Sequence, residues 1–132
     1  VSFSIQSQRY VRFGSDDKSG GFDFITPPTV DKATANLDHP EYDMYRELMW
    51  HIQQTYNKLR ELGVPAEDAR YLLPNAAATN GTMTMNLSAL LTFYSKRQAG
   101  RGAQWEIANL AEELKNLVCK EDPWLTEFFE RV

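Results

Sequence analysis

Between Ser4 and Arg9 the chain places two hydroxyls (Ser4, Ser7), two amides (Gln6, Gln8) and one guanidinium (Arg9). Hydroxyls and amides grip a hydroxylated, heterocyclic ligand, and a guanidinium fork matches phosphate oxygens in two places at once. The plain alternative for a polar run near a chain end is a solvated segment. Two more arginines stand in apolar surroundings: Arg70 within Ala69-Arg70-Tyr71-Leu72-Leu73-Pro74, and Arg97 after Leu90, Leu91, Phe93 and Tyr94. A buried guanidinium requires an anionic or carbonyl partner. For both, an acidic neighbour within the protein is the ordinary partner, and Arg97 also suits a helix C-terminus by charge alone.

Other chemistry is sparse. His39 and His51 are the only histidines, and neither has a His or Cys partner at ligand spacing, so both read as surface or core-edge residues and no metal site is expected. Glu112-Glu113 and Asp16-Asp17 read as solvated charges. There is no Gly-x-Gly-x-x-Gly and no phosphate-loop motif. No Ser or Cys stands beside a recognisable base, and Cys119 falls near the C-terminal end of a predicted helix, which does not favour a thiolate.

Composition places these residues in one soluble domain, 1–132, with a modest core: 132 residues, 42% hydrophobic and 24% charged. The formal net charge of -4 argues against a general nucleic-acid binder while leaving room for a local anion site. No apolar run approaches the roughly 20 residues that span a bilayer, and no charged-then-apolar leader is present. The single cysteine excludes an internal disulfide, so a reducing, cytoplasmic compartment is expected. The chain begins at Val1 rather than Met, which reads as a fragment, a processed product or an incomplete record.

Along the chain, Tyr10–Phe13 and Phe22–Ile25 read as short strands around a polar turn region, and Pro27-Pro28 ends extended structure. Asp31 to Pro40 reads as a helix start or a surface loop. Tyr45, Leu48, Met49, Ile52, Tyr56 and Leu59 recur at helical spacing and predict a helix over about Pro40–Leu62, stopped by Gly63. A second helix is expected over Pro65–Leu73, then a strand over Thr82–Met85. Asn86 is placed to cap a helix over Leu87–Arg97. Gly100 and Gly102 precede a helix over Ala103–Cys119 that should bury Ile107, Leu110, Ala111, Leu114 and Val118. Asp122 should cap a last helix carrying Trp124, Leu125, Phe128 and Phe129.

Four blocks occur in order: Ser2-x-Ser4-x-x-Ser7-Gln8-Arg9-Tyr10; Ala69-Arg70-x-Leu72-Leu73-Pro74; Asn86 eleven residues before Arg97; and Ala103-Gln104-Trp105-Glu106-Ile107. Together they resemble the C-terminal half of a flavin-dependent thymidylate synthase, over most of the chain from Ser2 to about Phe129. The resemblance implies an α/β (α+β) fold, a helix-rich domain around an antiparallel sheet of the thymidylate synthase-complementing type, with its N-terminal part missing. It implies synthesis of dTMP from dUMP with methylenetetrahydrofolate, FAD and NADPH, in a homotetramer with shared active sites.

By the same resemblance, Ile5, Gln6, Ser7, Gln8, Arg9 and Arg70 contact dUMP. Arg97 faces the uracil ring as the catalytic residue, and Ile5, Asn86, Leu87, Ser88 and Thr92 line FAD. The family's signature opens with an Arg-His-Arg triplet that would lie before Val1. Ile5, Thr92 and Gly102 stand where the family often has Gln or Glu, His or Asn, and His. Two alternatives remain open: a truncated, non-catalytic nucleotide-binding or assembly module, and a helical protein-interaction domain.

Overall fold

The structure, a computed structural model, describes residues 1–31 and 40–132; His39 and most of the segment from Asp31 to Pro40 lie outside the described residues. The fold is α+β: helices dominate, and a small antiparallel sheet joins β1 (Ser2–Ile5) to β2 (Gly81–Thr84). The helices are α1 (Pro28–Asp31), α2 (Pro40–Glu61), α3 (Ala66–Ala69), α4 (Leu87–Arg97), α5 (Trp105–Glu121) and α6 (Thr126–Glu130). Short 3-10 turns follow α3, at Arg70–Leu72, and precede α6, at Pro123–Leu125. The chain divides into two compact units, Ile5–Gly81 and Val1–Ser4 with Thr82–Val132.

In the Ile5–Gly81 unit the core gathers Phe13, Phe22, Met49, Tyr56 and Ala69, with Tyr45, Ile52, Leu59, Leu72 and Leu73 packed against it. Five of the six stripe residues of α2 thus face inward, while Leu48 is 55% exposed. At about 100° per residue, the buried face is centred on Met49 and Tyr56, and Leu48 falls at its outer flank. The opposite flank is occupied by Gln53 and Asn57, and their polar side chains explain why the helix sits this way round.

Gln53 Oε1 accepts from the Phe22 amide at 2.9 Å, and its Nε2 donates to the Phe13 carbonyl at 2.7 Å and to Asn57 Oδ1 at 3.0 Å. Tyr56 Oη accepts from the Phe13 amide at 3.3 Å. Asn57 accepts from the Ser15 amide and donates to the Ser15 hydroxyl. At Phe13, Ser15 and Phe22 these side chains take backbone bonds that a strand ladder would use. The expected strand at Tyr10–Phe13 is accordingly a turn and irregular chain, and that at Phe22–Ile25 shrinks to one antiparallel bridge, Phe24 with Ala77. Gly21 is required here: its φ is +112°, and a Cβ would meet Gln53 Oε1 at 2.7 Å. Asp17 is no idle charge either, since its carboxylate accepts from the Gly14 amide at 2.9 Å.

α2 ends where Gly63 turns to φ +87° and Val64 N–H bonds the Leu59 carbonyl. The second expected helix is present only as α3, which tightens into the 3-10 turn Arg70–Leu72 before Pro74.

In the other unit α4 and α5 pack together with the C-terminal turn and α6 around Leu90, Tyr94, Ala111, Leu125 and Phe129. The rings of Tyr94 and Phe129 meet edge to face at 5.2 Å. α5 buries its small residues Ala108 and Ala111, whereas Leu110 is 43% exposed. Two alanines allow a close helix approach that a leucine at that contact would prevent. Glu112 is half-buried rather than freely solvated: Tyr94 Oη donates to it at 3.0 Å, and Lys115 Nζ donates to both Tyr94 Oη and Glu112 at 3.2 Å. Asp122 does not cap through its side chain; its carboxylate accepts from Trp124 Nε1 at 3.3 Å, and its carbonyl starts the following turn.

Two stability tests follow from these contacts. Removing Gln53 strands two backbone groups beside the core, so Gln53→Ala should cost about 2 kcal/mol in urea unfolding, whereas its exposed neighbour Gln54→Ala should stay within about 0.5 kcal/mol. The hydrogen bond to Tyr94, followed by that to Glu112, raises the Lys115 pKa against the opposing effect of burial. A lysine raised on folding contributes stability that is fully present below its unfolded value of about 10.4 and is lost as pH climbs through the higher folded value. Lys115→Met should therefore lower stability at pH 7 by about 1 kcal/mol or less, and the difference from wild type should shrink in unfolding measured at pH 11.

Candidate functional site

In the Ile5–Gly81 unit the polar N-terminal run is folded into a turn rather than left as a loose end. Gln6 N–H bonds the Asn80 carbonyl at 2.8 Å, and Gln6 Oε1 accepts from the Asn80 backbone and side chain, each at 3.2 Å. Ser7 closes the turn: its hydroxyl accepts from the Arg9 amide at 3.2 Å, and its carbonyl accepts from Val11 N–H. Gln8 is half-buried, while Ile5 is 60% exposed.

Arg9 and Arg70, separated by most of the unit's sequence, meet at one residue. Arg9 Nε lies 2.8 Å from Glu67 Oε2, and Arg70 Nε donates to the Glu67 carbonyl at 2.9 Å. Each guanidinium also rests near the ring that follows it, Tyr10 at 5.6 Å and Tyr71 at 5.9 Å. Beside Arg9 opens a hollow of about 380 Å³ whose lining includes Arg12, Arg60 and Glu67. Three cations against one carboxylate give it a positive balance, so it suits an anion. Arg60 Nη1 is held by the Val64 carbonyl at 2.5 Å, which fixes its stem along α2.

Sequence reasoning passed over Glu67, Arg12 and Arg60. The position of Glu67 three residues before Arg70, within one helical turn, is the signal that ties it to that arginine. Arg60 and Arg12 carry no comparable local sign.

The Thr82–Val132 part of the second unit carries the remaining candidates on α4. Asn86 Oδ1 accepts from the Ala89 amide at 2.9 Å and caps the helix, as its position predicts. Asn86, Ser88, Thr92 and Arg97 line one cleft of about 430 Å³ with Val1, Ala89, Phe93 and Lys96. Successive turns of α4 bring 88, 92 and 96 onto one stripe. Thr92 Oγ1 donates to the Ser88 carbonyl at 3.0 Å, leaving its lone pairs to accept. Leu87, by contrast, packs against the core cluster of Leu90 and Tyr94. Arg97 is exposed in the last turn of α4 next to Lys96, a second cation that sequence reasoning did not single out.

Amide, hydroxyl, aromatic and cationic groups in one cleft fit part of a ligand that is both aromatic and anionic, which is the character of a flavin dinucleotide. Among the described residues no group of three or more His, Cys, Asp or Glu is placed to hold a metal ion, and no helix is long and apolar enough to cross a membrane. His51 is a surface residue, 3.6 Å from Glu47 and against the Trp50 ring.

Comparison with known proteins gives the same direction. The model of the thymidylate synthase complementing protein family matches residues 1–124. The chain is 41% identical to the flavin-dependent thymidylate synthase of Geobacter sulfurreducens, over 89% of this chain and 47% of that protein. It is 36% identical to that of Clostridium tetani, over 97% of this chain and 53% of the relative. With the enzyme of Haloarcula marismortui the identity is 31%, over 99% and 59%. The chain spans about half the length of the curated relatives it matches.

The cap on α4 can be tested by itself. Asn86→Ala should cost about 1 kcal/mol in urea unfolding, and Asn86→Asp, which keeps the accepting oxygen, should recover most of that loss.

Proposed function

The chain belongs to the thymidylate synthase complementing protein family, and from that premise we propose that it serves the reductive methylation of dUMP to dTMP as a flavin-dependent thymidylate synthase. The observation that carries the proposal is the meeting of Arg9 and Arg70 at Glu67 beside a positive hollow. Ile5, Gln6, Ser7, Gln8, Arg9 and Arg70 bind the nucleotide. The Arg9 fork takes phosphate oxygens, Ser7 keeps its hydroxyl proton free to donate because the hydroxyl accepts from Arg9 N–H, and the Gln8 amide offers donors and an acceptor to the sugar or base.

Arg97 is the catalytic residue. Its guanidinium stabilises the negative charge that grows on the uracil ring as N3 loses its proton, which makes C5 the better nucleophile. The step needs no covalent bond to the protein.

Asn86, Leu87, Ser88 and Thr92 would hold FAD; the capping contact of Asn86 uses its Oδ1 and leaves the amide nitrogen as donor, while the α4 stripe supplies the Ser88 and Thr92 hydroxyls. When bound, FAD supplies the redox chemistry, with NADPH as reductant and methylenetetrahydrofolate as carbon donor. The assembly is a homotetramer with shared active sites, in the cytoplasm, and residues 1–132 act as one domain within it.

Arg97→Ala should lower dTMP formation from dUMP, FAD, NADPH and methylenetetrahydrofolate by about 100-fold or more, and Arg131→Ala, an exposed arginine paired with Glu127, by less than about twofold. Equal small losses in the two variants would defeat the assignment. Wild-type chain should also melt higher with dUMP present, since a ligand selective for the native state stabilises it.

A further inference from the structure

Within the proposed nucleotide site the Glu67 carboxylate already occupies the group that is to take the phosphate. Glu67 Oε2 lies 2.8 Å from Arg9 Nε, at the distance of a charge-assisted hydrogen bond. The same residue is fixed from behind, because its carbonyl accepts from Arg70 Nε at 2.9 Å. Arg70 thus holds the Glu67 backbone while the Glu67 side chain reaches Arg9. The pair is not sealed: the Arg9 and Glu67 side chains are 56% and 47% exposed, and the hollow of about 380 Å³ opens directly beside them. Arg12 and Arg60 line that hollow too, so an arriving anion gains further positive charge when the carboxylate leaves.

We propose that Glu67 is an internal competitor for the Arg9 guanidinium, a carboxylate that must give way to the phosphate of an incoming nucleoside monophosphate and so sets the affinity of the site. The proposal rests on the reading of Arg9 as a phosphate ligand. An exposed ion pair is worth about 0.2–1 kcal/mol. A ligand that needs the open form has its apparent dissociation constant divided by the open fraction, and a pair of that strength weakens binding by about twofold to sixfold. The site is thereby tuned to release its ligand as well as to take it.

The test is titration of dUMP, and separately of deoxyuridine, into wild-type chain, E67Q, R9A and the double variant. Melting curves without ligand check that each remains folded; the pair is exposed, so each should. E67Q should bind dUMP about twofold to sixfold more tightly than wild type and bind deoxyuridine unchanged. E67D, which keeps the charge, should stay near wild type. In the R9A background the gain from E67Q should vanish.

If E67Q binds dUMP no better than wild type while R9A weakens it, the competitor role is wrong and the phosphate role of Arg9 stands. If R9A leaves dUMP binding unchanged, or wild type does not bind dUMP, the Arg9 reading itself is wrong and the competitor goes with it. A gain in E67Q that persists in the R9A background also overturns the proposal, because it would act through another group.

Discussion

The Ile5–Gly81 unit depends on one side-chain amide. Gln53 satisfies the Phe22 amide and the Phe13 carbonyl together, and so lets two irregular stretches lie against a helix without stranding backbone polar groups. Burial of Phe13 and Phe22 follows from this, since neither ring can enter the core unless its own backbone finds partners. Tyr56, fully buried, adds its hydroxyl to the Phe13 amide and fills the space between. The turn of Ser7 and Arg9 leads through Val11 into this anchored stretch, and α3 with Ala69 closes on the same core from the other end of the unit's sequence. Arg9 and Arg70 are therefore carried to Glu67 by segments anchored on this core, and their own bonds to Ser7 and Glu67 complete the placement.

The other unit solves a simpler problem. α4 must be held straight and at fixed rotation so that Asn86, Ser88, Thr92 and Arg97 share one cleft. Its inner face is fixed by Leu90 and Tyr94, whose ring packs on Phe129 and whose hydroxyl is shared between Glu112 and Lys115 on α5. Hydroxyl, carboxylate and ammonium together satisfy a buried tyrosine that would otherwise be costly. The cap at Asn86 fixes the start of the helix, and its last turn carries Lys96 and Arg97 where the helix end favours cations.

The sequence is legible where the physics is local. The length of α2, its stop at Gly63, the capping role of Asn86 and the strand before α4 all depend on neighbours a few residues apart. Errors arise where distant contacts decide. Tyr10–Phe13 and Phe22–Ile25 have strand-like composition, yet side chains of α2, about 30 to 40 positions away, take the Phe13 amide and carbonyl and the Phe22 amide, while Asp23 and Ile25 keep backbone partners in the 76–78 stretch. Leu48 and Leu110 fit helical periodicity but lie on outer faces, because Gln53 and two alanines determine which way each helix turns. For the site, residue type alone singled out Arg9, Arg70 and Arg97. The partner that draws the first two together, Glu67, had no mark of its own and emerges only from their convergence.

The proposed role of the positive hollow beside Arg9 is to receive a nucleotide phosphate. A crystal structure of the chain grown with dUMP tests it most directly. The phosphate should lie within hydrogen-bond reach of the Arg9 guanidinium, with the Glu67 carboxylate withdrawn from its 2.8 Å contact. A structure with dUMP bound elsewhere and the Arg9–Glu67 pair intact would contradict it.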